Sequence, residues 1–351
     1  MIFSSDFKIL HLVSDEANWS ISDDMRQMKW IAETLGYSTG NLSKDKSKQK
    51  AIFYGCQFAG LIKGKWKEGH RIAVSYFHGL PGTGHPEFDQ CFEALEKNKE
   101  EIYRLHVSHQ KMYDAVLKTG IDSRKVHRIP IGIDLKKFHF EDKELKQKIR
   151  KQLEIPSDAF VVGSFQKDGN GWMEGLEPKL IKGPDVFVEA MSSLIKKVPN
   201  LWVFLMGPSR GYVKRGLERA GVPFRHLYME DYNEIPKMYQ ALDAYLVSSR
   251  QEGGPKAVLE SMASGVSIVS TRVGQAAELI RHEVNGWLVE VEDANNMTDI
   301  LEKIYKEPKR SQLQKAAYQT ALKNTYESQL PLWNDFFKEF VKKRGKFGIW
   351  N

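Results

Sequence analysis

Short apolar runs alternate with longer amphipathic stretches along this sequence of 351 residues. Some runs have the length and composition of strands buried in a parallel sheet: KILHLV at 8–13, FVVGSF at 160–165, LWVFLM at 201–206 and AYLV at 244–247. Other stretches carry apolar residues at helical spacing, as at 23–35, 185–197 and 293–306. This alternation predicts two α/β units, each a doubly wound sheet with helices packed on it.

A change of pattern in the middle of the chain predicts the boundary between the units. Residues 138–154 are charged and helical, and Ile155-Pro156 then breaks the helical pattern. We therefore expect a linker at about 134–157, a first domain over 1–150 and a second domain over 157–332.

The composition is that of a soluble globular protein, with 41% hydrophobic and 28% charged residues. No apolar run approaches the roughly 20 residues of a membrane-spanning helix, and the first residues lack the pattern of a signal peptide. Cys56 and Cys91 match no metal or disulfide framework, so we expect a cytoplasmic protein. The net charge of +7 favours anionic partners such as nucleotide phosphates. Nucleic acid is the least supported kind of anionic partner, because no base-reading motif is recognisable.

Lysines and aromatic residues interleave in the basic region 44–71, which includes Lys63, Lys65 and Lys67. One interpretation is an ordinary solvated surface. The other is a patch that contacts an anionic acceptor or the surface of an anionic membrane, where each basic residue contributes about 1 kcal/mol. Peripheral membrane contact through this region is therefore a hypothesis.

The stretch from Ala244 to Val289 has the strongest pattern in the chain. It predicts a buried strand, a glycine-containing loop, a helix that begins at Pro255 and a second strand at 266–270. Gly265 stands where a left-handed helix cap is expected. Ligands of open α/β sheets bind at the carboxyl ends of the strands, so the loop before the helix is a candidate site.

Phosphate binding is the chemistry that this loop favours. The N–H groups of Lys256 and Ala257 lie in the first helical turn, where an anion is stabilised. Gly253 and Gly254 let a ligand approach the backbone without a Cβ in the way.

Two carboxylates flank the same turn. Glu252 and Glu260 are more than two helical turns apart, so they cannot share one proton. We expect them to bind different parts of one elongated ligand, such as a sugar at one end and a ribose at the other. The alternative is a solvated loop glutamate and a glutamate on the helix surface.

Three segments of this stretch together resemble a known family: EGGPKAVLE at 252–260, SMASGVSIVSTRVGQAAELI at 261–280 and NGWLV at 285–289. They are similar to the retaining glycosyltransferases of group 1, also called family 4, which have the GT-B fold. The resemblance implies two Rossmann-like domains that face an interdomain cleft, the first on the acceptor side and the second binding the nucleotide-sugar donor. It also implies that the last helix, within 333–351, packs back onto the first domain.

The resemblance assigns roles to individual residues. Glu252 is implied to contact the donor sugar as a catalytic residue, and Glu260 to hold the ribose hydroxyls. Lys182, in a Lys-Gly pair, is implied to contact the donor diphosphate. His78 follows the strand-like run RIAVSYF and resembles the histidine that faces the donor sugar in this family. A structural histidine is the alternative for His78.

The sequence departs from the family pattern at two places. Ser164 stands where most members have an arginine for the diphosphate, and we expect Lys167 or Lys179 to replace it. An insert, DGNGWMEGLEP, follows Lys167. In the first domain, the loop at 14–20, which shapes the acceptor site in many members, contains no glycine.

The implied reaction moves a sugar from a UDP-, GDP- or ADP-sugar to a hydroxyl of a glycan, a lipid or a small molecule, with retention of configuration. We expect no metal and no other cofactor, because the candidate donor loops contain no Asp-x-Asp motif. His106, His109 and His127 fit no metal-ligand spacing, and structural roles are expected for them. The alternatives are a GT-B sugar-nucleotide epimerase or phosphorylase, and a non-catalytic nucleotide-sugar binding protein.

Overall fold

The computed structural model describes residues 7–13, 20–55, 61, 69–229, 231–307 and 311–343. Contacts divide the chain into two compact units, one formed by 1–131 with 326–351 and the other by 132–325. The division falls before Gly132, which is earlier than the linker expected at 134–157.

In the described part of the first unit, six strands form one parallel sheet: β1 (Ile9–Val13), β2 (Ser38–Gly40), β3 (Ala51–Tyr54), β4 (Arg71–Ser75), β5 (Ile102–Val107) and β6 (Val126–Arg128). Their order in the sheet is β2-β1-β3-β4-β5-β6. Parallel pairing sets His11 of β1 opposite Ile52 of β3.

In the second unit, the described residues form another parallel six-stranded sheet: β7 (Phe160–Phe165), β8 (Leu201–Met206), β9 (Phe224–Leu227), β10 (Ala244–Val247), β11 (Ser267–Thr271) and β12 (Trp287–Val289). Their order is β12-β11-β10-β7-β8-β9. The chain winds outward from β7 to β9, then returns to the other side of β7 with β10 and winds outward again. This is the strand order of a classical dinucleotide-binding fold, whose switch point lies here between β7 and β10.

The described α-helices of both units are α1 (Ser20–Thr34), α2 (Pro86–Lys97), α3 (Gln110–Leu117), α4 (Lys143–Gln152), α5 (Pro184–Leu194), α6 (Gly211–Arg219), α7 (Ile235–Met238), α8 (Lys256–Ala263), α9 (Ala276–Leu279), α10 (Ala294–Lys306), α11 (Ser311–Lys323) and α12 (Leu330–Phe337). Short 3₁₀ turns lie at Ser123–Lys125, Leu135–Lys137, Leu180–Lys182, Tyr232–Glu234 and Tyr239–Ala241. The helix cap predicted at Gly265 is confirmed, because this residue has a left-handed φ of 71°.

Both faces of the first sheet are covered, as strand alternation requires. Phe53 and Ala73 point to one side, where they pack with α1 and α12. Ile72 and Val74, also in the central strands, point to the other side and pack with α2 and α3. The helix α12 thus belongs to the core of the first unit, and Trp333, Phe336 and Phe337 of α12 are buried there.

The second sheet is also buried. Val162, Val203 and Leu205 of its central strands pack in one cluster with α5, α6 and α10. Helix α8 lies against β10 and β11 and contacts α11. Burying both faces explains why β7, β8 and β10 read as continuous apolar runs in the sequence.

Helix α4 explains why the unit boundary precedes residue 132. Its Arg150 is buried and donates hydrogen bonds to the carbonyls of Ala159 and Ala241. Arg150 and Lys146 also form ion pairs with Asp243, at 2.7 and 2.6 Å. The charged stretch 138–154, which suggested a linker, therefore contains a helix that its ion pairs hold at the amino edge of the second sheet.

The described residues contain no helix with the length and apolar character needed to cross a membrane. Lys44, Lys46 and Lys48 are exposed. Lys63, Lys65 and Lys67 lie outside the described residues, as does residue range 14–19 of the acceptor-side loop. Membrane contact through the basic region 44–71 therefore stays a prediction.

We predict that Asp243→Asn costs about 3 kcal/mol of unfolding free energy, because Arg150 is left buried without its ion-pair partner. Burial raises the pKa of the Asp243 carboxyl, but the charges of Lys146 and Arg150 outweigh it and hold the pKa below its usual 3.8. A carboxyl with a lowered folded-state pKa stabilises the fold above its unfolded pKa. The advantage of the wild type should be complete at neutral pH and should shrink as the pH falls below 3.8.

Urea unfolding of both proteins, from about pH 7 down to about pH 3, measures the difference and how it shrinks as the pH falls. Asp299→Asn is the control, because Asp299 pairs with Lys197 on the surface and its loss should cost less than about 1 kcal/mol. Equal effects of the two substitutions would contradict the buried role of Asp243.

Candidate active site

The candidate site lies where β7 and β10 end side by side at the switch point of the second sheet. The chain leaves β7 into a long loop that ends in the 3₁₀ turn Leu180–Lys182, and it leaves β10 into Ser248–Gly254. Gly183 joins the two loops: it has a left-handed φ of 61°, and a Cβ there would lie 2.0 Å from the Ser248 carbonyl oxygen. The backbones can approach this closely only with glycine at 183.

Lys182 and Glu252 form an ion pair across this switch point. The distance from Lys182 Nζ to Glu252 Oε1 is 2.6 Å. Ser249 Oγ donates to the same oxygen at 2.9 Å. The side chains are 26% and 14% exposed, so the pair is partly shielded from water yet remains accessible to a ligand. The two residues that the sequence assigned to the diphosphate and to the donor sugar are thus in direct contact.

A second layer of contacts fixes the backbone around Glu252. Gly274, after β11, has a φ of 46°, and a Cβ there would lie 2.4 Å from the carbonyl oxygens of Glu252 and Gly253. The Gln275 N–H donates to the Gly253 carbonyl at 3.1 Å. Thr271 Oγ1 donates to the Ser249 carbonyl at 2.7 Å. The loop after β11 therefore holds the loop after β10.

Arg250 was not predicted as part of the site, yet it holds the two site loops together. Its guanidinium donates to both carboxylate oxygens of Asp185, each at 2.8 Å, and to the Leu180 carbonyl at 2.7 Å. The Arg250 N–H donates to the Ile181 carbonyl. These contacts fix the turn that ends at Lys182. The one signal for Arg250 in the sequence is its position in the candidate loop between β10 and α8.

The helix after the loop begins one residue later than predicted. Pro255 is the N-cap with an extended ψ of 106°, and α8 begins at Lys256. The prediction that Pro255 is the first helical residue is therefore wrong. Lys256 and Ala257 are the first two helical positions, which have no carbonyl four residues back in the helix. The helix end still presents donors beside Gly253 and Gly254.

Glu260 is buried on α8, with 7% of the residue exposed. Tyr239 donates its hydroxyl to Glu260 Oε2 at 2.6 Å. The Tyr239 ring stacks on Tyr245, whose pKa is raised by burial. The alternative of a surface glutamate on the helix is therefore wrong, because the carboxylate is buried and held by a hydroxyl. Tyr239 is a second contributor that sequence reasoning missed.

Lys167 lies near the same edge but faces an aromatic ring. Its Nζ is 3.7 Å from the centroid of the Trp172 ring, and burial lowers the pKa of the ammonium. Gln166, the preceding residue, donates to the Lys182 carbonyl at 3.4 Å. A role for Lys167 at the diphosphate stays a prediction, and so does the alternative, Lys179.

An arginine does reach the end of β7, although it comes from the end of β8. Arg210 donates to the carbonyls of Ser164, Gln166 and Met206 and pairs with Asp168 at 2.9 Å. Arg210 is 1% exposed, so these protein acceptors surround its guanidinium. Its role is to hold the loop after β7.

His78 lies in the first unit, three residues beyond β4, while the other candidates lie in the second unit. It is half-buried, and the ring of Phe77 stacks with it at 5.7 Å. Its contact with a donor sugar stays a prediction. Among the described residues, no group of histidine, cysteine or acidic side chains is arranged to hold a metal ion.

His106 illustrates a buried histidine with a structural role. Its two ring nitrogens contact the Ser75 hydroxyl and the Ile129 carbonyl, each at 2.7 Å. Burial lowers its pKa to about 4, so the ring is neutral at physiological pH.

The two parallel six-stranded sheets have the GT-B fold, and solved structures agree. Anabaena Alr3699/HepE in complex with UDP and glucose aligns with a TM-score of 0.75 at 16% identity, over 95% of this chain and 100% of that chain. The sucrose-phosphate synthase of Thermosynechococcus elongatus aligns with a TM-score of 0.68 at 16% identity, over 90% of this chain and 77% of that chain. The predicted GT-B fold is confirmed.

Part of the second unit matches a known family. Residues 174–320 match the family Glycosyl transferases group 1, and this match confirms the resemblance seen in the sequence motifs. The matched segment contains Lys182, Glu252 and Glu260.

Two curated relatives have partial matches. The lipopolysaccharide core biosynthesis mannosyltransferase LpsB of Rhizobium meliloti (strain 1021) is 30% identical over 179 residues, which are 48% of this chain and 47% of that protein. The UDP-Gal:alpha-D-GlcNAc-diphosphoundecaprenol alpha-1,3-galactosyltransferase of Escherichia coli is 26% identical over 249 residues, 64% of this chain and 60% of that protein. The chain spans about half the length of the curated relatives it matches.

We predict that Gly183→Ala destabilises the protein by about 3 kcal/mol, because the left-handed φ and the close Ser248 carbonyl both oppose a Cβ. Gly221→Ala is the matched control. Gly221 has a similar φ of 66° but no atom within 4 Å of the added Cβ, so it should lose only about 1 kcal/mol. Urea unfolding measures both values. Equal losses would mean that the two loops do not need to approach so closely.

Proposed function

We propose that this chain is a retaining glycosyltransferase that moves a sugar from a nucleotide-sugar donor to an acceptor hydroxyl without a metal ion. The observation that carries the proposal is the ion pair of Lys182 and Glu252 at the switch point, beside the amino end of α8. An anion-binding helix end, a cation and a carboxylate together suit a ligand that joins a diphosphate to a sugar.

The donor diphosphate is proposed to take over Lys182 from Glu252. Lys182 Nζ then neutralises charge on the leaving group, and the N–H groups of Lys256 and Ala257 add the positive end of the helix. Lys182 and Ser249 both donate to Oε1 of the Glu252 carboxylate. When Lys182 turns to the phosphate, the carboxylate can accept hydrogen bonds from the hydroxyls of the donor sugar.

The rest of the donor is proposed to extend along α8. Glu260 is the fifth residue of α8, eight residues after Glu252. Its carboxylate is proposed to accept hydrogen bonds from the ribose hydroxyls. Tyr239 fixes the carboxylate of Glu260 for this contact. His78 remains the predicted partner of the donor sugar in the first unit.

Retention is proposed to arise by front-face substitution. The bond between the anomeric carbon and the diphosphate oxygen breaks, and the acceptor oxygen bonds to the same face of that carbon. The acceptor proton passes to the departing diphosphate. Lys182 and the end of α8 stabilise the negative charge that develops on the leaving group.

A UDP-sugar is the donor that we propose to test first. Two comparisons support it: HepE is described in complex with UDP and glucose, and the name of the E. coli relative contains UDP-Gal. For the acceptor, the name of the E. coli relative refers to a lipid-linked saccharide, and that of LpsB to lipopolysaccharide core biosynthesis. A glycan or a lipid-linked glycan is therefore the proposed acceptor class.

We predict that UDP raises the melting temperature of the wild type and that Lys182→Ala reduces this shift. A ligand at 100 times its Kd stabilises a protein by about 2.7 kcal/mol, which a thermal-shift titration detects readily. GDP and ADP are titrated in parallel to determine the base. Lys197→Ala is the control, because Lys197 forms ion pairs on the surface away from the site. No shift with any of the three nucleotides would contradict the proposal.

We predict that Glu252→Ala lowers kcat by about 100-fold or more while UDP binding is kept, because the substitution removes a contact to the donor sugar and frees Lys182 for the diphosphate. Glu260→Ala should instead weaken UDP binding, because it removes the ribose contact. Turnover is measured as UDP release from UDP-sugars with and without saccharide acceptors.

Glu290→Ala, on the surface beside Arg272, is the control for a general loss of charge. Unchanged turnover in both site variants would contradict the assignment. UDP binding by the wild type without any turnover would favour the nucleotide-sugar binding protein, and release of the bare sugar epimer would favour the epimerase.

A further inference from the structure

The insert at 168–178 is fixed firmly to the second unit. The Ser209 hydroxyl lies between the carbonyls of Gly171 and Met173, with Oγ at 3.1 and 3.0 Å from their oxygens, and its single hydrogen is shared between them. The N–H groups of Gly211 and Tyr212 donate to carbonyls of the insert at 2.7 and 2.9 Å. The insert is therefore an ordered loop that packs on the segment between β8 and α6.

The base of the insert is equally constrained. Asp168 is fully buried and pairs with Arg210. A Cβ at Gly169 or at Gly175 would lie 2.4 or 2.3 Å from the Ser209 carbonyl oxygen, so the insert and this segment are in close contact. These contacts set the position of the tip of the insert, which consists of Trp172 and Met173.

The tip nevertheless exposes large apolar side chains. Trp172 is 63% exposed and Met173 is 86% exposed. Exposure of a tryptophan on a well-anchored loop is unfavourable in water, and such residues commonly mark a binding surface.

The insert lies at the same sheet edge as the candidate site. It leaves the carboxyl end of β7 and returns to the chain just before the turn Leu180–Lys182. Gln166 contacts the Lys182 carbonyl, and its neighbour Lys167 places Nζ 3.7 Å from the Trp172 ring centroid. Strand β7 lies between β10 and β8 in the sheet. Relative to Lys182, Trp172 therefore lies toward β8 and Glu252 lies toward β10.

The charges around the tip indicate the kind of partner. The buried Asp168 of the insert is paired with Arg210. The remaining charges are Glu174 and Glu177 within the insert and Lys167 and Lys179 on either side of it, so the opposite charges balance. A balanced surface has no net attraction for an anionic membrane or a nucleic acid. An aromatic face surrounded by donors and acceptors of both kinds suits a neutral saccharide, whose pyranose ring has an apolar C–H face and hydroxyls at its rim.

We propose that Trp172 is a specificity-determining residue on which a pyranose ring of the saccharide acceptor stacks. The proposal rests on the proposed glycosyltransferase function and adds the substrate class that the insert recognises. Lys167 holds the tryptophan ring from one side through its ammonium, and the hydroxyls of the saccharide contact the charged side chains at the rim.

The test compares the wild type, Trp172→Ala, Trp172→Phe and Met173→Ala on an array of neutral gluco-, galacto-, manno- and N-acetylglucosamine oligosaccharides in the presence of UDP. We expect the wild type to bind a subset of the saccharides and Trp172→Ala to bind them roughly tenfold more weakly. Trp172→Phe should restore most of the affinity because it keeps an aromatic face. Met173→Ala, which removes the adjacent exposed side chain, should bind like the wild type.

The thermal shift with UDP is measured on every variant and should be unchanged. Saccharide binding that is absent in the wild type, or equal in wild type and Trp172→Ala, would overturn the proposal. Loss of the UDP shift in Trp172→Ala would overturn it too, because the tryptophan would then contact the nucleotide. Absence of the UDP shift in the wild type would count against the proposed function, whereas saccharide binding that depends on Trp172 would still support the insert as a saccharide site.

Flotation with vesicles of phosphatidylethanolamine and phosphatidylglycerol distinguishes a lipid surface. The proposal expects no difference between wild type and Trp172→Ala in this assay. Vesicle binding that depends on Trp172, without saccharide binding, would overturn it.

Discussion

The contact between Lys182 and Glu252 is the interaction on which the site depends, and the strand order of the second sheet makes it possible. Lys182 lies in the loop after β7, and Glu252 lies in the loop after β10. These two strands are far apart in sequence but adjacent in the sheet, because the chain reverses its winding direction between them. Loops that leave two such strands diverge in opposite directions, which opens a crevice at the carboxyl edge. A cation from one loop and a carboxylate from the other then meet across the crevice, at 2.6 Å.

An ion pair of this kind is useful only if its partners are held in place while remaining exchangeable. Arg250 fixes the turn that carries Lys182, and the loop containing Gly274 fixes the backbone of Glu252. The side chains of the pair stay partly exposed, so the free energy of breaking it is moderate. By contrast, Asp168 and Arg210 are fully buried, and their pair serves as a rigid anchor for the insert. Burial thus separates the exchangeable pair from the permanent one.

Local pattern was sufficient for the buried central strands of the second sheet and insufficient for the contacts between elements. The runs at 160–165, 201–206 and 244–247 coincide with β7, β8 and β10, because strands buried on both faces must be continuously apolar. The start of α8 was missed by one residue, since the φ of proline suits both the N-cap and the first helical turn. The roles of Arg250, Arg210 and Tyr239 depend on which distant carbonyls and carboxylates the fold brings near them, and no local spacing encodes that. The family motif supplied Lys182 and Glu252 separately, while their contact emerged only from the structure.

The absence of the family arginine after β7 has a physical consequence for how a diphosphate could be held. Arg210 brings a guanidinium to this position, but it is surrounded by protein acceptors and is 1% exposed. In the proposed function, Lys182 and the amino end of α8 would neutralise the charge of a bound diphosphate, with Lys167 or Lys179 as the predicted replacement for the arginine. A lysine is a compact point charge on a flexible stem, whereas an arginine binds through a planar, two-pronged face. A flexible cation can move from a carboxylate to a phosphate without rearranging the backbone, and the proposed exchange of Lys182 between Glu252 and the donor requires that movement.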